Sequence, residues 1–481
     1  MTTKKRLSVD NPVVSLLTPM FGPKRARVMA AFLRREYRIE TVRHLKGVVE
    51  ARVPYMSKRV ARKRGVSLRS LSSRQKNNEK VMANRLHRAL HLPYRDSMKI
   101  VRACKRIPGS FTSYHFGFSW ALGAVRNSAL RINRFWINAA RISIAKGFFV
   151  VPGYKDTGEV FDQGDRGTCV ANAACSLLDY KSNQQWSRQF LYHQCKWRDG
   201  IPHEEGTFIE TAMEIMSDEN LVDYGNVKEA IWPYNPCENG STHQGPPPEK
   251  AFDCTRVVSA SPVFIRPGSK VADIKYLLNL NSGGKGNPVE VGLELRESFF
   301  SHSTNETGWV TMPLPGEEIV GYHAMLVVGY DDDRQLFLVR NSWGPQWAPR
   351  NDKGYAGHAW IPYKYIEKYC FVGVTLISLE FGNVFVPEYD RLYNNEVAEV
   401  YSSRVAAAAY RRGTGQYAYR SRRSVSFFGL LFRMGVTLAI LFLFWEPVTS
   451  LMSKASSYLG ITLDFAKIEE AFSAFLHKLI N

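Results

Sequence analysis

Two stretches of this chain combine residue types that can carry out nucleophilic chemistry. The first covers residues 162–180, DQGDRGTCVANAACSLLDY, in which Cys169 follows a glycine-containing turn and precedes apolar residues at helical spacing. Cys169 is therefore predicted to lie at a helix N-terminus, where the helix dipole favours a thiolate. Gln163 supplies an amide donor on the same turn. A thiol beside an amide donor indicates acyl transfer with a stabilised oxyanion.

The second stretch decides whether Cys169 has a catalytic role. A lone cysteine at a helix start is more often a small buried apolar residue than a nucleophile. Residues 321–347 read GYHAMLVVGYDDDRQLFLVRNSWGPQW. His323 opens a strand-like apolar run, three aspartates form a turn, and a second strand leads to Asn341 and Trp343. A hairpin brings the ends of its two strands together, so His323 and Asn341 are predicted neighbours.

The two stretches together resemble the papain-like cysteine peptidases, in a bacterial or viral type of domain with extensions at both ends. The resemblance covers about 230 residues, roughly 150–381. Further segments similar to that family follow in order: SRQFLYHQCKWRDG from Ser187, EEGTFIETAMEIM from Glu204, AIWPYNP from Ala230, PVEVGLELRESF from Pro288 and KGYAGHAWIPYKYI from Lys353.

The resemblance implies a role for each matching residue. Cys169 would be the nucleophile, His323 the general base and acid, and Asn341 the residue that orients the histidine. Gln163 would complete the oxyanion hole, and Trp343 would shield the hydrogen bond between Asn341 and His323. The implied activity is that of an endopeptidase that cleaves polypeptides through a thioester. A papain-fold structural or interaction protein, which binds a polyanion or a membrane, is the alternative.

The resemblance also implies the fold, which is an α+β, two-lobe fold with the site in the cleft between the lobes. One lobe would be helical, and the other an antiparallel, barrel-like β lobe, together spanning residues 148–381. Two positions depart from the family pattern. Arg166 stands where the family usually has a disulfide-forming cysteine, and Val170 stands where it usually has tryptophan. Neither departure removes a catalytic group.

The spacings of the cysteines and histidines argue against a disulfide framework and against a metal site. Seven cysteines form an odd set without a CxxC motif, which fits a reducing compartment, although a pairing of Cys237 with Cys254 stays open. The His and Cys spacings around Cys195 and Cys237 are not those of a zinc module. We therefore predict no metal and no cofactor, and we expect His302 and His358, the nearest rivals of His323 in the sequence, to be structural or exposed.

The basic charge of the chain is concentrated in residues 1–147. Residues 1–150 contain 33 Lys and Arg against 6 Asp and Glu, although the whole chain has a net charge of only +20. Apolar residues at helical steps predict basic amphipathic helices, with Val28 and Phe32 on one apolar face and Val81, Leu86 and Leu90 on another. Through residues 1–110 such helices could bind an anionic membrane surface or nucleic acid by salt-sensitive phosphate contacts. A solvated arm and a removable pro-segment are the other interpretations.

The C-terminal hundred residues contain an apolar segment. Residues 382–425 have the composition of a linker. Residues 426–446 are predicted to form a hydrophobic helix, and residues 447–481 an amphipathic tail. Within that helix, residues 427–445 carry one charge and would nearly cross a hydrocarbon core of about 30 Å. A membrane span would place the peptidase on the cytoplasmic side, given the arginines upstream. A buried helix of an assembly, in a soluble cytoplasmic or particle-associated protein, is the alternative.

Overall fold

The computed structural model describes residues 7–50, 78–107, 122–126, 142–201, 204–217, 226–236, 247–251, 255–281 and 284–384. All of them belong to the first of two compact units, Met1–Ala406 and Ala407–Asn481. Among these residues no helix is long and apolar enough to cross a membrane. The apolar segment 427–445, the amphipathic tail and the pair Cys237 and Cys254 lie outside the described residues, so the statements about them stay predictions.

The described part of the N-terminal region is helical and has its own apolar core. Its helices are α1 (Val13–Phe21), α2 (Pro23–Tyr37), α3 (Val42–Glu50), α4 (Asn78–Leu90) and α5 (Tyr94–Arg106). The predicted apolar face of α2 is wrong, because Val28 is 67% exposed and the buried face is formed by Ala26, Met29 and Leu33. The misassignment arose because Val28 lies among basic side chains that face solvent: Lys24, Arg25, Arg27, Arg34 and Arg35. A polyanion partner for this surface stays a prediction.

The N-terminal helices are docked onto the β lobe by buried charges. Arg43 of α3 forms an ion pair with Glu306, and Arg85 of α4 forms one with Glu297, and all four side chains are largely buried. Since a buried charge is tolerated only with a partner, these pairs fix where the helices sit. Two further hydrogen bonds cross the interface, from Trp309 Nε1 to Arg38 O (3.0 Å) and from Met312 N to Tyr37 O (3.0 Å). Residues 7–50 and 78–107 are thus folded against the β lobe.

A helical lobe follows, built from α6 (Cys169–Ser182), α7 (Arg188–Arg198) and α8 (Ile209–Ser217). The apolar run after Cys169 forms α6 as predicted, and most of that helix is buried. Helix α7 begins after Ser187, whose side-chain oxygen accepts a hydrogen bond from Phe190 N (3.1 Å). Such a cap satisfies one of the free N–H groups at a helix start. The ends of these helices therefore follow from local sequence.

The β lobe is one antiparallel sheet with strand order β2-β7-β3-β4-β5-β6, and β1 pairs with β4. The strands are β1 (Phe148–Val150), β2 (Thr255–Phe264), β3 (Val289–Arg296), β4 (Ile319–Asp331), β5 (Leu336–Arg340), β6 (His358–Pro362) and β7 (Cys370–Val384). Helices α9 (Lys270–Asn279), α10 (His302–Thr307) and α11 (Tyr363–Tyr369) connect them. The predicted α+β class, with a helical lobe and an antiparallel β lobe, is confirmed.

Strand β3 carries a buried carboxyl group. Glu290 is fully buried, and neither of its side-chain oxygens has a hydrogen-bond partner among the described residues. Burial, and secondarily the nearby Glu210, raises the pKa of Glu290 well above its ordinary value. In the unfolded chain this carboxyl ionises above about pH 4.5, whereas the folded protein keeps it protonated to higher pH. Glu290 therefore makes the protein less stable as pH rises above 4.5.

We predict that Glu290→Gln is about as stable as the wild type near pH 4.5 and more stable at pH 8. Glutamine has nearly the same shape but cannot ionise, so its advantage grows by up to about 1.4 kcal/mol per pH unit. Urea unfolding between pH 4.5 and 8 measures the difference. Glu214→Gln is the matched control, because Glu214 is partly exposed and paired with Arg198. A stability difference that stays constant across this pH range would contradict the prediction.

Candidate active site

Cys169 lies at the first residue of α6, with its sulfur buried between the two lobes. Its Sγ accepts a hydrogen bond from Ala324 N on β4 at 3.4 Å. Burial raises the pKa of Cys169 to about 12, although N–H groups of Ala324, Gly123 and Val170 act in the opposite direction. The expectation that the helix start favours a thiolate therefore does not hold in this state, because desolvation outweighs the dipole.

His323 lies on β4, directly before the residue that bonds the sulfur. Its Nε2 and the Oδ1 of Asn341 are 2.8 Å apart, and its ring stacks on Trp343 with centroids 4.9 Å apart. The structure thus brings these three predicted residues together. When Nε2 donates to Asn341, the neutral ring leaves Nδ1 as a proton acceptor. Nδ1 is buried and has no hydrogen-bond partner among the described residues.

Burial also controls the charge of His323. The pKa of His323 is lowered to about 4, because desolvation outweighs the hydrogen bond that its Nε2 donates to Asn341, which raises the pKa. With the pKa of the thiol raised, Cys169 and His323 are both neutral near pH 7. Water would have to reach the site before the pair could exchange a proton and form a thiolate and an imidazolium.

Gln163 joins the turn before Cys169 to Ser342, two residues beyond the end of β5. Its N–H donates to Ser342 O (2.9 Å), and its Oε1 accepts from Ser342 Oγ (2.5 Å). Its Nε2 donates to Arg166 O (2.8 Å), so the plane of the amide is set on both sides. Ser342 in turn donates its N–H to Asn341 Oδ1 (2.8 Å). A single chain of hydrogen bonds therefore runs from Gln163 to His323.

Residues 122–126 cover the sulfur. Val125 N donates to Thr207 O (2.9 Å), and Thr207 N donates to Gly123 O (2.8 Å), which forms a parallel bridge with Ala124. The N–H of Gly123 also bonds the sulfur of Cys169. The fit is so close that a Cβ on Gly123 would lie 1.8 Å from Gly167 O. The sequence did not predict this contact, because the residues LGAVR contain no motif that indicates contact with residues so distant in the chain.

Comparison with known proteins identifies the region that contains this site. Residues 153–359 match the papain family of cysteine proteases. The chain carries a papain-like cysteine peptidase domain. Over 217 residues, the chain is 28% identical to an uncharacterized peptidase C1-like protein of Acanthamoeba polyphaga mimivirus. That match covers 43% of this chain and 64% of the viral protein.

Solved structures similar to the papain-like domain include two cysteine proteases. Xylellain from Xylella fastidiosa is 20% identical, and the match covers 54% of this chain and 97% of xylellain with a TM-score of 0.45. Procathepsin B S9 from Trypanosoma congolense is 17% identical, and the match covers 54% of this chain and 87% of that protein with a TM-score of 0.42.

The other histidines considered from the sequence lie elsewhere in the papain-like domain. His358 is buried at the start of β6, where Nε2 contacts Tyr154 OH (2.5 Å) and Nδ1 contacts Ala356 O (2.8 Å). Burial lowers the pKa of His358 to about 3, so it stays neutral. His302 begins α10. Both positions fit the structural role expected from the sequence.

We predict that Cys169 resists alkylation in the intact chain. With a pKa of about 12, about one thiol in ten thousand is ionised at pH 8, and residues 122–126 also block the approach. Iodoacetamide labelling followed by peptide mass spectrometry should show Cys169 reacting as slowly as the buried Cys104, and all cysteines reacting in urea. Preferential labelling of Cys169 in the native chain would show that the cleft is open.

Proposed function

We propose that this protein is a cysteine-type endopeptidase that cleaves polypeptides through a Cys-His-Asn mechanism. One observation carries the proposal: the sulfur of Cys169 bonds the residue next to His323, whose ring is held by Asn341. A thiol, a proton acceptor and an orienting carboxamide are the groups that acyl transfer from a peptide requires. The match to papain family cysteine proteases supports the same activity.

The reaction follows from the proton positions at the site. His323 Nδ1 takes the proton of Cys169, and the thiolate attacks the scissile carbonyl carbon to form a C–S bond. The carbonyl oxygen becomes an oxyanion that accepts from Cys169 N–H and from the amide of Gln163. The C–N bond then breaks as His323 protonates the leaving amine. Water, deprotonated by His323, cleaves the thioester, releasing the acid and restoring the thiol.

The cleft geometry supports cleavage within a polypeptide rather than at its end. Residues 122–126 lie across the sulfur as an internal stretch of chain, paired with Thr207 through the backbone. A polypeptide bound at the same place would likewise have backbone on both sides of the scissile bond. The covering segment itself presents the N–H of Gly123 to the sulfur. Because the segment presents an N–H group to the sulfur, and not a carbonyl carbon, Cys169 has no peptide bond to attack there. The covering segment therefore stays intact.

The state described here is then a latent one, and residues 1–147 act as a pro-segment. Strand β1 pairs with β4, and Asp332 N donates to Gly147 O (3.0 Å). A cut after this point would separate a strand from the sheet. We therefore place the activating cut between Arg126 and Gly147, which releases the cover and keeps β1 in place.

We predict that Gly123→Ala activates the full chain. The added Cβ would meet backbone atoms of Gly167, which cannot move cheaply. Overpacking of this kind costs about 1–3 kcal/mol, so labelling of Cys169 by an epoxide inhibitor should rise about 5- to 150-fold. Gly268→Ala is the matched control, because a Cβ there meets nothing within 4 Å. Equal labelling of the two variants and the wild type would refute the latency.

In the Gly123→Ala background we predict a graded loss of peptide hydrolysis. Cys169→Ala should abolish both labelling and hydrolysis, and Gln163→Ala should lower kcat about 10²- to 10³-fold, as expected for an oxyanion donor. Cys175→Ala, on the same helix but outside the site, should keep full activity. Measured kcat and inhibitor labelling test this order. Labelling of none of these proteins between pH 5 and 8 would favour the papain-fold binding protein instead.

A further inference from the structure

Arg166 is an unusual residue to find in the interior of a turn that carries catalytic groups. Its side chain is fully buried, three residues before Cys169. Burying a guanidinium is costly unless its N–H groups are bonded. A residue kept there needs a structural or functional reason, and its contacts indicate one.

The guanidinium of Arg166 joins three separate segments. Its Nη1 donates to Gln189 Oε1 on α7 (2.7 Å) and to Asn235 O (3.1 Å). Its Cζ lies 5.2 Å from the ring centroid of Tyr192 and 5.3 Å from that of Tyr234, so the planar group contacts both aromatic rings. Planar stacking combined with directed hydrogen bonds is specific to arginine among the cationic side chains.

The partners of Arg166 reach the catalytic turn themselves. Tyr234 OH donates to Gln163 O (2.9 Å) and contacts Thr168 Oγ1, which adjoins Cys169. On the other side, Glu205 Oε2 accepts from Gly167 N (2.9 Å) and from Tyr192 OH (3.0 Å). The turn is thus bound on both sides by the residues that enclose the guanidinium.

The main chain of Arg166 completes the link to the site. Its carbonyl oxygen accepts the hydrogen bond from Gln163 Nε2 at 2.8 Å. Fixing the side chain therefore fixes the carbonyl, and the carbonyl sets the plane of the Gln163 amide. A misplacement of about 1 Å at a catalytic group can cost about 100-fold in rate, so the position of this donor matters for catalysis.

We propose that Arg166 is a positioning residue for the oxyanion hole, and that its buried guanidinium holds the turn through hydrogen bonds and contacts with two aromatic rings. The inference rests on the proposed peptidase function. It adds that the geometry of the turn depends on this one buried side chain. Arg166 acts through Gln163 and touches no substrate.

Two variants separate charge from shape. Arg166→Lys keeps the positive charge and loses the planar stacking, whereas Arg166→Met keeps the length and loses both. Arg198→Met is the matched control, because Arg198 lies on the same lobe and pairs with Glu214 away from the turn. All three are made in the full chain, both with native Gly123 and in the Gly123→Ala background.

The first readout needs no activity. Hydrogen exchange followed by mass spectrometry on the native full chain should show the amides of residues 163–168 exchanging at least about tenfold faster in Arg166→Met, with α6 and α7 still protected. Unchanged exchange in this turn would overturn the proposal. This measurement tests the positioning role of Arg166 even if the Gly123→Ala protein hydrolyses no peptide. That failure would refute the proposed peptidase function and leave the positioning role untouched.

The second readout is kinetic. In the Gly123→Ala background Arg166→Met should lower kcat for peptide hydrolysis about 100-fold, and Arg166→Lys by less, with KM nearly unchanged. Alkylation of Cys169 by iodoacetamide needs no oxyanion hole, so its rate should stay near that of the parent. A lower unfolding temperature with unchanged kcat, or an equal loss of alkylation and hydrolysis, would show a merely structural role and overturn the proposal.

Discussion

The catalytic geometry depends on one short seam between the two lobes, formed by Gln163 and Ser342. Two hydrogen bonds join these residues, and a third leads from Ser342 N to Asn341 Oδ1. Because Gln163 begins the turn that ends in Cys169, and Asn341 holds His323, the seam fixes the residues proposed as oxyanion donor, nucleophile and base relative to one another. All of these atoms are buried, so each bond is shielded from competing water and a broken one would leave an unsatisfied polar group. The lobes are therefore coupled where the chemistry needs them to be.

Much of this arrangement was predictable from local sequence, and the exceptions share a cause. The helix after Cys169 and the hairpin that carries His323 follow from apolar spacing and a polar turn, which are short-range signals. The cover by Gly123 and the burial of Arg166 depend on contacts between segments far apart in the chain, for which one sequence gives no periodic signal. Val28 was misassigned for a related reason: an apolar residue among basic ones can lie on either face of the helix, and only packing against α1 selects the buried face.

The same tertiary contacts explain why the reactive groups are neutral in this structure. A helix start stabilises a thiolate by about 1 kcal/mol or less when exposed, whereas full burial shifts a pKa by several units. The cover by residues 122–126 contributes to that burial, and it replaces water with N–H groups that bond the sulfur only weakly. Charge separation between Cys169 and His323 is thus unfavourable as long as the cleft is filled. The proposed latency and the neutral state of the thiol would both follow from this one contact.

A five-residue segment with two backbone hydrogen bonds to Thr207 could not fill the cleft firmly by itself, since each such bond contributes only about 1 kcal/mol net. It is part of the same chain as the helices that dock on the β lobe through Arg43 and Arg85, and as β1 on its other side. Two attachments keep the segment at a high effective concentration, on the order of millimolar, beside the sulfur. Cutting the chain between Arg126 and Gly147 removes one attachment and turns an intramolecular contact into one that dilution can dissociate. The buried ion pairs Arg43–Glu306 and Arg85–Glu297 hold the N-terminal helices on the β lobe, so under this proposal they retain the other attachment of the cover after the cut.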